Sequence, residues 1–347
     1  MKISSTETPS NTVPGVVELL DCTLRDGSYS VDFQFTEQTI RRVLVGLERS
    51  GIRLIELGHG LGLNAADALG KPTLVPDERS FELASETLRE ASWGMFCIPG
   101  IAKLTDLKQA IAGGMRFVRV GVDITDTAPA EEFVGLAREH GLQTFINLMK
   151  TNVLDTAGVI SAVRDCARYG AESVYLVDSV GGFLPTEVTE LFQHVGEAVP
   201  VPLGFHGHDN LGLANANALA AVEGGARYVD TTLDGIGRGA GNTITEAFAA
   251  ILEGRVGDAT PYDYQELARL SETVVRPLPR LHDDRIYQVV GGLTQMHSSF
   301  FPLITKCAKA EGVDVFKLMA AVAESERVRP SEDLVREIAG SLAAHRF

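Results

Sequence analysis

The sequence predicts an α/β protein, a (β/α)8 TIM barrel with a C-terminal helical extension. Short apolar runs rich in β-branched residues alternate with amphipathic helical patterns from about residue 16 to residue 255. Eight such strand–helix units in about 240 residues match the count and length of this barrel. After about residue 260 the alternation stops and the remaining periodicity is helical. A doubly wound open sheet is the alternative that shares the alternation.

The predicted elements follow one another in a regular order. The strands cover residues 16–23, 52–58, 93–98, 116–122, 143–149, 172–178, 201–208 and 227–234. Amphipathic stretches such as 36–51 and 157–170 lie between them and end in glycine, as helix C-termini often do. Three further helical stretches are expected at 262–275, 298–312 and 331–344. These patterns divide the chain into a disordered or extended N-terminal arm (1–15), a catalytic barrel (16–260) and a helical domain (261–347).

Composition excludes several functional classes. Hydrophobic residues make up 45% of the chain and charged residues 22%, as in an ordinary globular enzyme. The net charge of −15 argues against broad binding to nucleic acid or anionic lipid, because phosphates would be repelled. No segment approaches the roughly 20 apolar residues that span a bilayer, and the polar N-terminus does not read as a signal peptide. Four scattered cysteines predict reduced thiols. We expect a soluble, cytoplasmic protein.

The most specific local pattern is His206-Gly207-His208 at the end of the seventh apolar run. Side chains alternate along a strand, so both imidazoles point to the same face. Such a pair suits a transition metal if carboxylates complete the site. Barrel active sites lie at the C-terminal ends of the strands, where these residues fall. Two histidines hydrogen-bonded at a barrel rim remain the structural alternative.

A carboxylate partner is available just past the first strand. Asp26 precedes Gly27, which permits a tight backbone path. Strands 1 and 7 of a closed barrel are separated only by strand 8, so Asp26 can meet the histidines. Arg25 supplies a local positive charge for an anionic substrate, although a salt bridge to Asp21 or Glu56 would also explain it. A turn-capping role is likewise the alternative for Asp26.

Three further features are weaker. His59 follows the second strand and His297 precedes a Ser-Ser-Phe segment, so both could reach the barrel mouth. The loop 235–242 superficially fits a dinucleotide-binding fingerprint, but it follows the last strand instead of opening the first βαβ unit. A glycine loop in that place is better suited to letting backbone approach a bound carboxylate or phosphate.

Together these motifs resemble the DRE-TIM metallolyase superfamily, also called HMGL-like. The superfamily includes isopropylmalate and homocitrate synthases, HMG-CoA lyase and 4-hydroxy-2-oxovalerate aldolases. The motifs that carry the resemblance are DCTLRDG at 21–27, HGHDNLGLANANAL at 206–219 and GIGRGAGN at 235–242. The chain is most similar to the 4-hydroxy-2-oxoacid aldolases, through IELGHG at 55–60, IPGI at 98–101, VDSVGG at 177–182, VRPL at 275–278 and SSF at 298–300.

The resemblance implies roles for individual residues. Asp26, His206 and His208 would hold a divalent metal, with Mn²⁺ favoured and Co²⁺, Mg²⁺ or Zn²⁺ as alternatives. Arg25 would stabilise the enolate oxygen that develops when the C3–C4 bond of a 4-hydroxy-2-oxoacid breaks into pyruvate enolate and an aldehyde. Ser179 would seat the substrate carboxylate, and we expect His59 to assist substrate binding.

Some residues depart from the aldolase pattern. Tyr29 stands where these aldolases carry a catalytic histidine, and His297 stands where many carry tyrosine. The loop 64–70 also differs, which leaves the aldehyde half of the substrate open. Because an unperturbed phenol has a pKa of about 10, we hypothesise that His297 is the base and that Tyr29 positions the hydroxyl. His59 or a metal-activated hydroxide is the alternative base.

The predicted function is therefore a carbon–carbon lyase, a divalent-metal-dependent aldolase of 4-hydroxy-2-oxoacids. An acyl-CoA-dependent Claisen synthase of the isopropylmalate or homocitrate type, a metal-dependent 2-oxoacid decarboxylase and a catalytically silent barrel are the alternatives. The expected partners are a small 2-oxoacid and an aldehyde, with no nucleic acid and no membrane. We expect a homo-oligomer, and the sequence leaves open whether an aldehyde dehydrogenase partner docks, as it does for some relatives.

Overall fold

A computed structural model describes residues 17–256, 260–281 and 285–344. The predicted N-terminal arm lies outside these residues. Within them, no helix is both long enough and apolar enough to cross a membrane.

Eight parallel strands close into a barrel in which every strand pairs with its neighbours in the sequence, and β1 pairs with β8. This confirms the predicted (β/α)8 fold and excludes the open sheet. Each strand lies inside its predicted range or extends at most one residue beyond it. Their bounds are β1 (Glu18–Asp21), β2 (Leu54–Leu57), β3 (Ser92–Cys97), β4 (Phe117–Asp123), β5 (Gln143–Met149), β6 (Ser173–Asp178), β7 (Leu203–Gly207) and β8 (Tyr228–Thr231).

Helices surround the barrel and pack their apolar faces on the strands. In α1 (Glu37–Arg49) the buried residues Ile40, Val43, Leu44 and Leu47 recur at helical spacing, and the Thr36 side chain caps the first turn. The other helices of this region are α2 (Ala65–Leu69), α3 (Asp77–Thr87), α4 (Leu104–Ala112), α5 (Ala130–Glu139), α6 (Thr156–Tyr169), α7 (Pro185–Ala198), α8 (Ala214–Glu223) and α9 (Thr245–Val256).

The barrel interior is apolar in one part and ionic in another. Phe117, Phe145, Tyr175 and Tyr228 form an aromatic cluster with close ring contacts. The fully buried Arg119 lies over the Tyr175 ring, 4.4 Å from its centroid, and pairs with Glu56 and Asp230. The ionic part therefore links strands β2, β4 and β8, which do not pair with one another in the sheet, through their side chains.

The C-terminal region contains more helices than the sequence analysis identified. Its helices are α10 (Tyr264–Leu270), continued by a π-helical turn (Ser271–Val275), then α11 (Arg285–Thr294), α12 (Phe301–Glu311), α13 (Val315–Ser325) and α14 (Glu332–Ala344). Leu267, Leu270 and Val275 pack into the barrel core. Helices α11 to α14 share a second core that includes Phe301, Ile304, Met319 and Val335. The turn between α11 and α12 brings His297 to the barrel mouth.

Candidate active site

The candidate active site is a cavity of ≈ 220 Å³ at the C-terminal ends of the strands. It combines one carboxylate, three histidines and three cationic side chains with an apolar wall. The residues that line it are Arg25, Asp26, Tyr29, Gly60, Leu61, Phe96, Ile98, Asn147, Met149, Lys150, Val177, Ser179, His206, His208, Arg238 and His297. Seven of the eight residues predicted for the site are among them, and His59 is not.

Asp230 fixes the orientation of the His206 ring. Its carboxylate lies 2.8 Å from His206 Nδ1 and also accepts from Arg119 Nη2. Because a carboxylate accepts, the imidazole proton belongs on Nδ1, and the Nε2 lone pair faces Asp26 Oδ2 at 3.4 Å. Burial opposes protonation of His206, but a protonated ring would donate Nδ1–H to Asp230 and Nε2–H to Asp26, and these two carboxylates raise its pKa above the ordinary value. This carboxylate–imidazole arrangement recurs behind metal-binding histidines.

A backbone carbonyl fixes His208 in the same tautomer. Gly241 O lies 3.2 Å from His208 Nδ1, and a carbonyl can only accept. His208 Nε2 is therefore also left with a lone pair. Burial lowers the pKa of His208 to about 4, so the ring is neutral at physiological pH. The two rings lie with centroids 5.1 Å apart and nearly perpendicular.

Asp26 completes the group. Asn242 Nδ2 donates to its Oδ2 at 2.9 Å, and the Arg25 guanidinium lies 3.5 Å from its Oδ1. Although burial favours the neutral acid, Arg25 and the hydrogen bond from His206 hold the pKa of Asp26 well below its usual range. One ligand atom from each of Asp26, His206 and His208 lies within 4.8 Å of the others.

The donor set fits a divalent cation on two grounds. Two imidazoles, which coordinate in their neutral form, and one ionised carboxylate are ligands that Mn²⁺, Co²⁺, Fe²⁺ and Zn²⁺ accept, and three protein ligands leave positions for substrate. The buried network also has an excess of negative charge, because two guanidinium groups face three carboxylates (Arg25 and Arg119 against Asp26, Glu56 and Asp230). A cation bound there would offset that charge.

Arg25 is held rigidly beside this group. Its Nε donates to Glu56 Oε2 at 2.6 Å, its Nη1 approaches Gly60 O at 3.4 Å, and its guanidinium lies 4.7 Å from the centre of the Phe96 ring. The sequence analysis gave an ion pair with Glu56 as the structural alternative to a role in substrate binding. That ion pair is present, and Arg25 also lines the cavity. Despite burial, Glu56 and Asp26 raise its pKa, so it stays charged.

Ser179 and Lys150 lie together on the wall formed by β5 and β6. The Lys150 N–H donates to Ser179 Oγ at 2.8 Å, which leaves the serine hydroxyl proton free to donate. Lys150 has φ of 62°, an uncommon conformation for a non-glycine residue. Its Nζ lies 2.8 Å from Asp123 Oδ2.

Tyr29 and His59 take part in one aromatic stack. The Phe33 ring lies edge-on to Tyr29 at 5.2 Å and stacks on His59 at 3.8 Å. His59 is fully buried, and its Nδ1 accepts from Leu61 N–H at 3.1 Å. Burial raises the pKa of Tyr29 to about 12 and lowers that of His59 to about 4. Tyr29 therefore stays protonated, and His59 supports the wall from behind.

His297 lies across the cavity on the turn after α11. Burial, with the positive charges of Arg238 and Lys150, lowers its pKa to about 3, so the ring is neutral. Its Nδ1 lies 2.8 Å from Ser299 Oγ and 3.3 Å from Ser299 N. If the hydroxyl accepts from Nδ1–H, the Nε2 lone pair is free; if the backbone N–H donates to Nδ1, the proton is on Nε2. A backbone N–H can only donate, and the Ser299 hydroxyl can rotate to donate as well, so the second arrangement satisfies both contacts and places the proton on Nε2.

Four residues of the site were not identified from the sequence. Asp230 lies in an apolar strand pattern, and nothing in the linear sequence pairs it with His206. Asn242 and Arg238 belong to the glycine loop, whose side chains could have been weighed individually. Lys150 follows the fifth strand and could have been found by inspecting charged residues at strand ends.

Comparison with known proteins identifies the family of this chain. A family model described as HMGL-like matches residues 16–274. The chain belongs to the HMGL-like family. Among curated relatives, 4-hydroxy-2-oxovalerate aldolase 2 of Rhodococcus jostii (strain RHA1) is 34% identical over 95% of this chain and 96% of that protein. The 4-hydroxy-2-oxovalerate aldolase of Moorella thermoacetica (strain ATCC 39073 / JCM 9320) is 32% identical over 95% of this chain and 98% of that protein.

Solved structures share the barrel of this HMGL-like chain. The N-terminal domain of a putative aldolase from Bacteroides vulgatus has a TM-score of 0.68 at 24% identity, covering 80% of this chain and 93% of that one. The carboxyl transferase domain of Rhizobium etli pyruvate carboxylase has a TM-score of 0.72 at 19% identity, covering 96% of this chain and 61% of that one. At these identities the likeness concerns the fold.

Proposed function

We propose that this protein is a divalent-metal-dependent aldolase that forms or cleaves a 4-hydroxy-2-oxoacid. The observation that carries the proposal is the convergence of Asp26, His206 and His208 beside Arg25 in one cavity. The names of the curated relatives support the same reaction. Mn²⁺ is the ion we favour, with Co²⁺, Mg²⁺ or Zn²⁺ as alternatives.

The reaction needs no other reactant. In the cleavage direction the 4-hydroxyl loses its proton, the C3–C4 bond breaks, an aldehyde leaves, and the electron pair remains on the pyruvate enolate, which then takes up a proton. When bound, the ion would supply Lewis-acid stabilisation of the negative charge that develops on the 2-oxo oxygen.

Arg25 and Ser179 would act on the pyruvate half. The Arg25 guanidinium is fixed by Glu56 and Phe96 before substrate arrives, so its charge is preorganised toward the enolate. The Ser179 hydroxyl is free to donate to the substrate carboxylate because its oxygen already accepts from Lys150 N–H. These two residues would hold the donor half in one orientation.

His297 and Tyr29 would act on the aldehyde half. We assign His297 Nε2 as the acceptor of the 4-hydroxyl proton. This role requires the ring to carry its proton on Nδ1, where Ser299 Oγ can accept it, in place of the tautomer in which Nδ1 accepts from Ser299 N–H. Tyr29 stays protonated and would donate a hydrogen bond to the same hydroxyl. His59 receives no substrate contact in this proposal, since it does not line the cavity.

The deciding experiment compares two reactions of the Mn²⁺-loaded protein. Pyruvate with a panel of aldehydes should give 4-hydroxy-2-oxoacids, and pyruvate or another 2-oxoacid with acetyl-CoA should give no free CoA. An Asp26→Asn variant and a chelated sample are the matched controls, and both should be inactive. Acyl transfer from acetyl-CoA without aldol formation would replace the aldolase with a Claisen synthase.

The cellular location and the protein partners of this chain stay predictions. The four cysteines are buried and free, which agrees with the predicted cytoplasmic location. A homo-oligomer stays a prediction, and a dehydrogenase partner stays an open question; both can be examined by light scattering and by copurification.

A further inference from the structure

Arg238 is a cation of the cavity that the proposed mechanism does not use. It lies at the tip of the glycine loop after β8, half-buried, and its Nη2 donates to Ser298 Oγ at 2.8 Å. Ser30 forms two 3.1 Å hydrogen bonds with Gly237, the residue that precedes Arg238. The loop is therefore fixed, and the guanidinium is presented to the cavity in a defined place.

The other two cations of the cavity have carboxylate partners. Arg25 pairs with Glu56 and Asp26, and Lys150 pairs with Asp123. Within the described residues, Arg238 forms no ion pair with a carboxylate. The hydrogen bond to the Ser298 hydroxyl does not neutralise the charge of Arg238, and a partly desolvated cation without a counter-charge is energetically unfavourable. The unmatched charge therefore calls for an anion from outside the chain.

Position decides which half of the substrate that anion belongs to. Ser298, which Arg238 contacts, is the neighbour of His297 in the chain, and the charge of Arg238 acts on both Tyr29 and His297. These residues belong to the aldehyde half of the proposed reaction. Ser179, assigned to the pyruvate carboxylate, is bonded instead to the Lys150 backbone.

Resting on the proposed function, we infer that the aldehyde half of the substrate carries an anionic group, a carboxylate or a phosphate, which Arg238 binds. A planar guanidinium with several donors matches the oxygens of either group in a two-point contact. The substrate class is then a 4-hydroxy-2-oxoacid with a second acidic group beyond C4. An aldehyde with an uncharged side chain would leave the Arg238 charge unmatched in the cavity.

The test uses matched pairs of aldehydes with pyruvate and the Mn²⁺-loaded protein. Succinic semialdehyde is compared with butanal, and glyceraldehyde 3-phosphate with glyceraldehyde. We expect kcat/KM for at least one anionic member to exceed that of its neutral partner by about 10- to 100-fold, the range of a charge-assisted contact. The pair that shows the preference identifies the anion as carboxylate or phosphate.

Variants assign the preference to a residue. Arg238→Gln should lower the anionic-to-neutral ratio by about 10- to 100-fold, and Arg238→Lys should retain part of it because the charge remains. Arg336→Gln, an exposed arginine paired with Glu332 on α14, is the control and should leave the ratio unchanged. Urea unfolding of each variant separates a binding loss from a folding loss.

Three results would overturn the inference. Equal kcat/KM within both aldehyde pairs would show that the pocket ignores charge. A fall of the same size for anionic and neutral aldehydes in Arg238→Gln would make Arg238 a support of the loop, and a raised KM for pyruvate would make it part of the donor site.

Deuterium exchange of the pyruvate methyl group, followed by NMR without any aldehyde, distinguishes these failures from failure of the proposed function. Exchange without an anionic preference refutes the inference alone. Neither exchange nor turnover refutes the proposed function, and the inference fails with it.

Discussion

Replacing Arg25 separates its catalytic role from its structural role. Glu56 is fully buried, and its Oε2 contacts Arg25 Nε at 2.6 Å and Arg119 Nη1 at 3.1 Å. Removing one partner of a buried ion pair usually costs about 3–5 kcal/mol, and because Arg119 remains we expect about 2–3 kcal/mol for Arg25→Met. Loss of a preorganised charge at the enolate should lower kcat by about 10²-fold or more.

A second change isolates the two effects. In Arg25→Met/Glu56→Gln the carboxylate that lost one of its two cationic partners is also removed, so urea unfolding should show recovery of part of the lost stability while kcat stays low. Arg25→Lys should not restore kcat fully, since an ammonium lacks the guanidinium geometry. Steady-state kinetics with Mn²⁺ and varied substrate give kcat and KM. Unchanged kcat with a raised KM would reduce Arg25 to a carboxylate clamp, and recovery of kcat in the double variant would make its role structural.

Further predictions concern the groups around the metal ligands and the base. Asp230→Asn should weaken Mn²⁺ binding by about 10- to 100-fold, because the amide no longer fixes His206; an unchanged Kd in calorimetry would contradict this. Imidazole nitrogen NMR should give His297 a pKa near the low value of about 3, and Arg238→Gln should raise it by removing a positive charge. A base works only when deprotonated, so protonation of His297 should lower kcat/KM only at a pH well below neutrality. In Arg238→Gln, where the pKa of His297 is higher, kcat/KM should begin to fall at a higher pH than in the wild type. The same spectra, taken with Mg²⁺ and pyruvate bound, should show the proton on Nδ1, and a ring that keeps its Nε2–H there would end the assignment of His297 as the base. Tyr29→Phe should lower kcat by about 10-fold through loss of one hydrogen bond, and no change would exclude Tyr29 from positioning the hydroxyl.

The barrel could be predicted because its signals are local. Each strand is a short apolar run, and the helical stretches predicted at 36–51 and 157–170 cover α1 and α6. Helix α11 was missed because Gly291 and Gly292 lower helix propensity. Tertiary packing overrides that cost, since a Cβ on Gly291 would approach the Phe301 ring to 2.6 Å. Helix α13 was also missed, although its buried residues Leu318, Met319 and Val322 recur at helical spacing.

The site could be predicted only in part. The convergence of Asp26, His206 and His208 could be predicted because motif and strand alternation place them at strand ends, and their role as metal ligands stays a prediction. Their partners Asp230 and Asn242 come from other parts of the chain, and only the closed barrel brings them within hydrogen-bonding distance. The pKa of His297 could not be predicted either. Burial and the nearby charges of Arg238 and Lys150 lower it, and the linear sequence does not show that these groups lie together.

Mn²⁺ titration followed by electron paramagnetic resonance of the free ion tests the central claim most directly. We expect one tightly bound Mn²⁺ per chain in the wild-type protein and loss of that site in His206→Ala/His208→Ala. The control is His140→Ala/His194→Ala, which removes two exposed histidines and should bind Mn²⁺ as the wild type does. Full Mn²⁺ occupancy in the His206/His208 double variant, or no bound ion in the folded wild-type protein, would contradict the account.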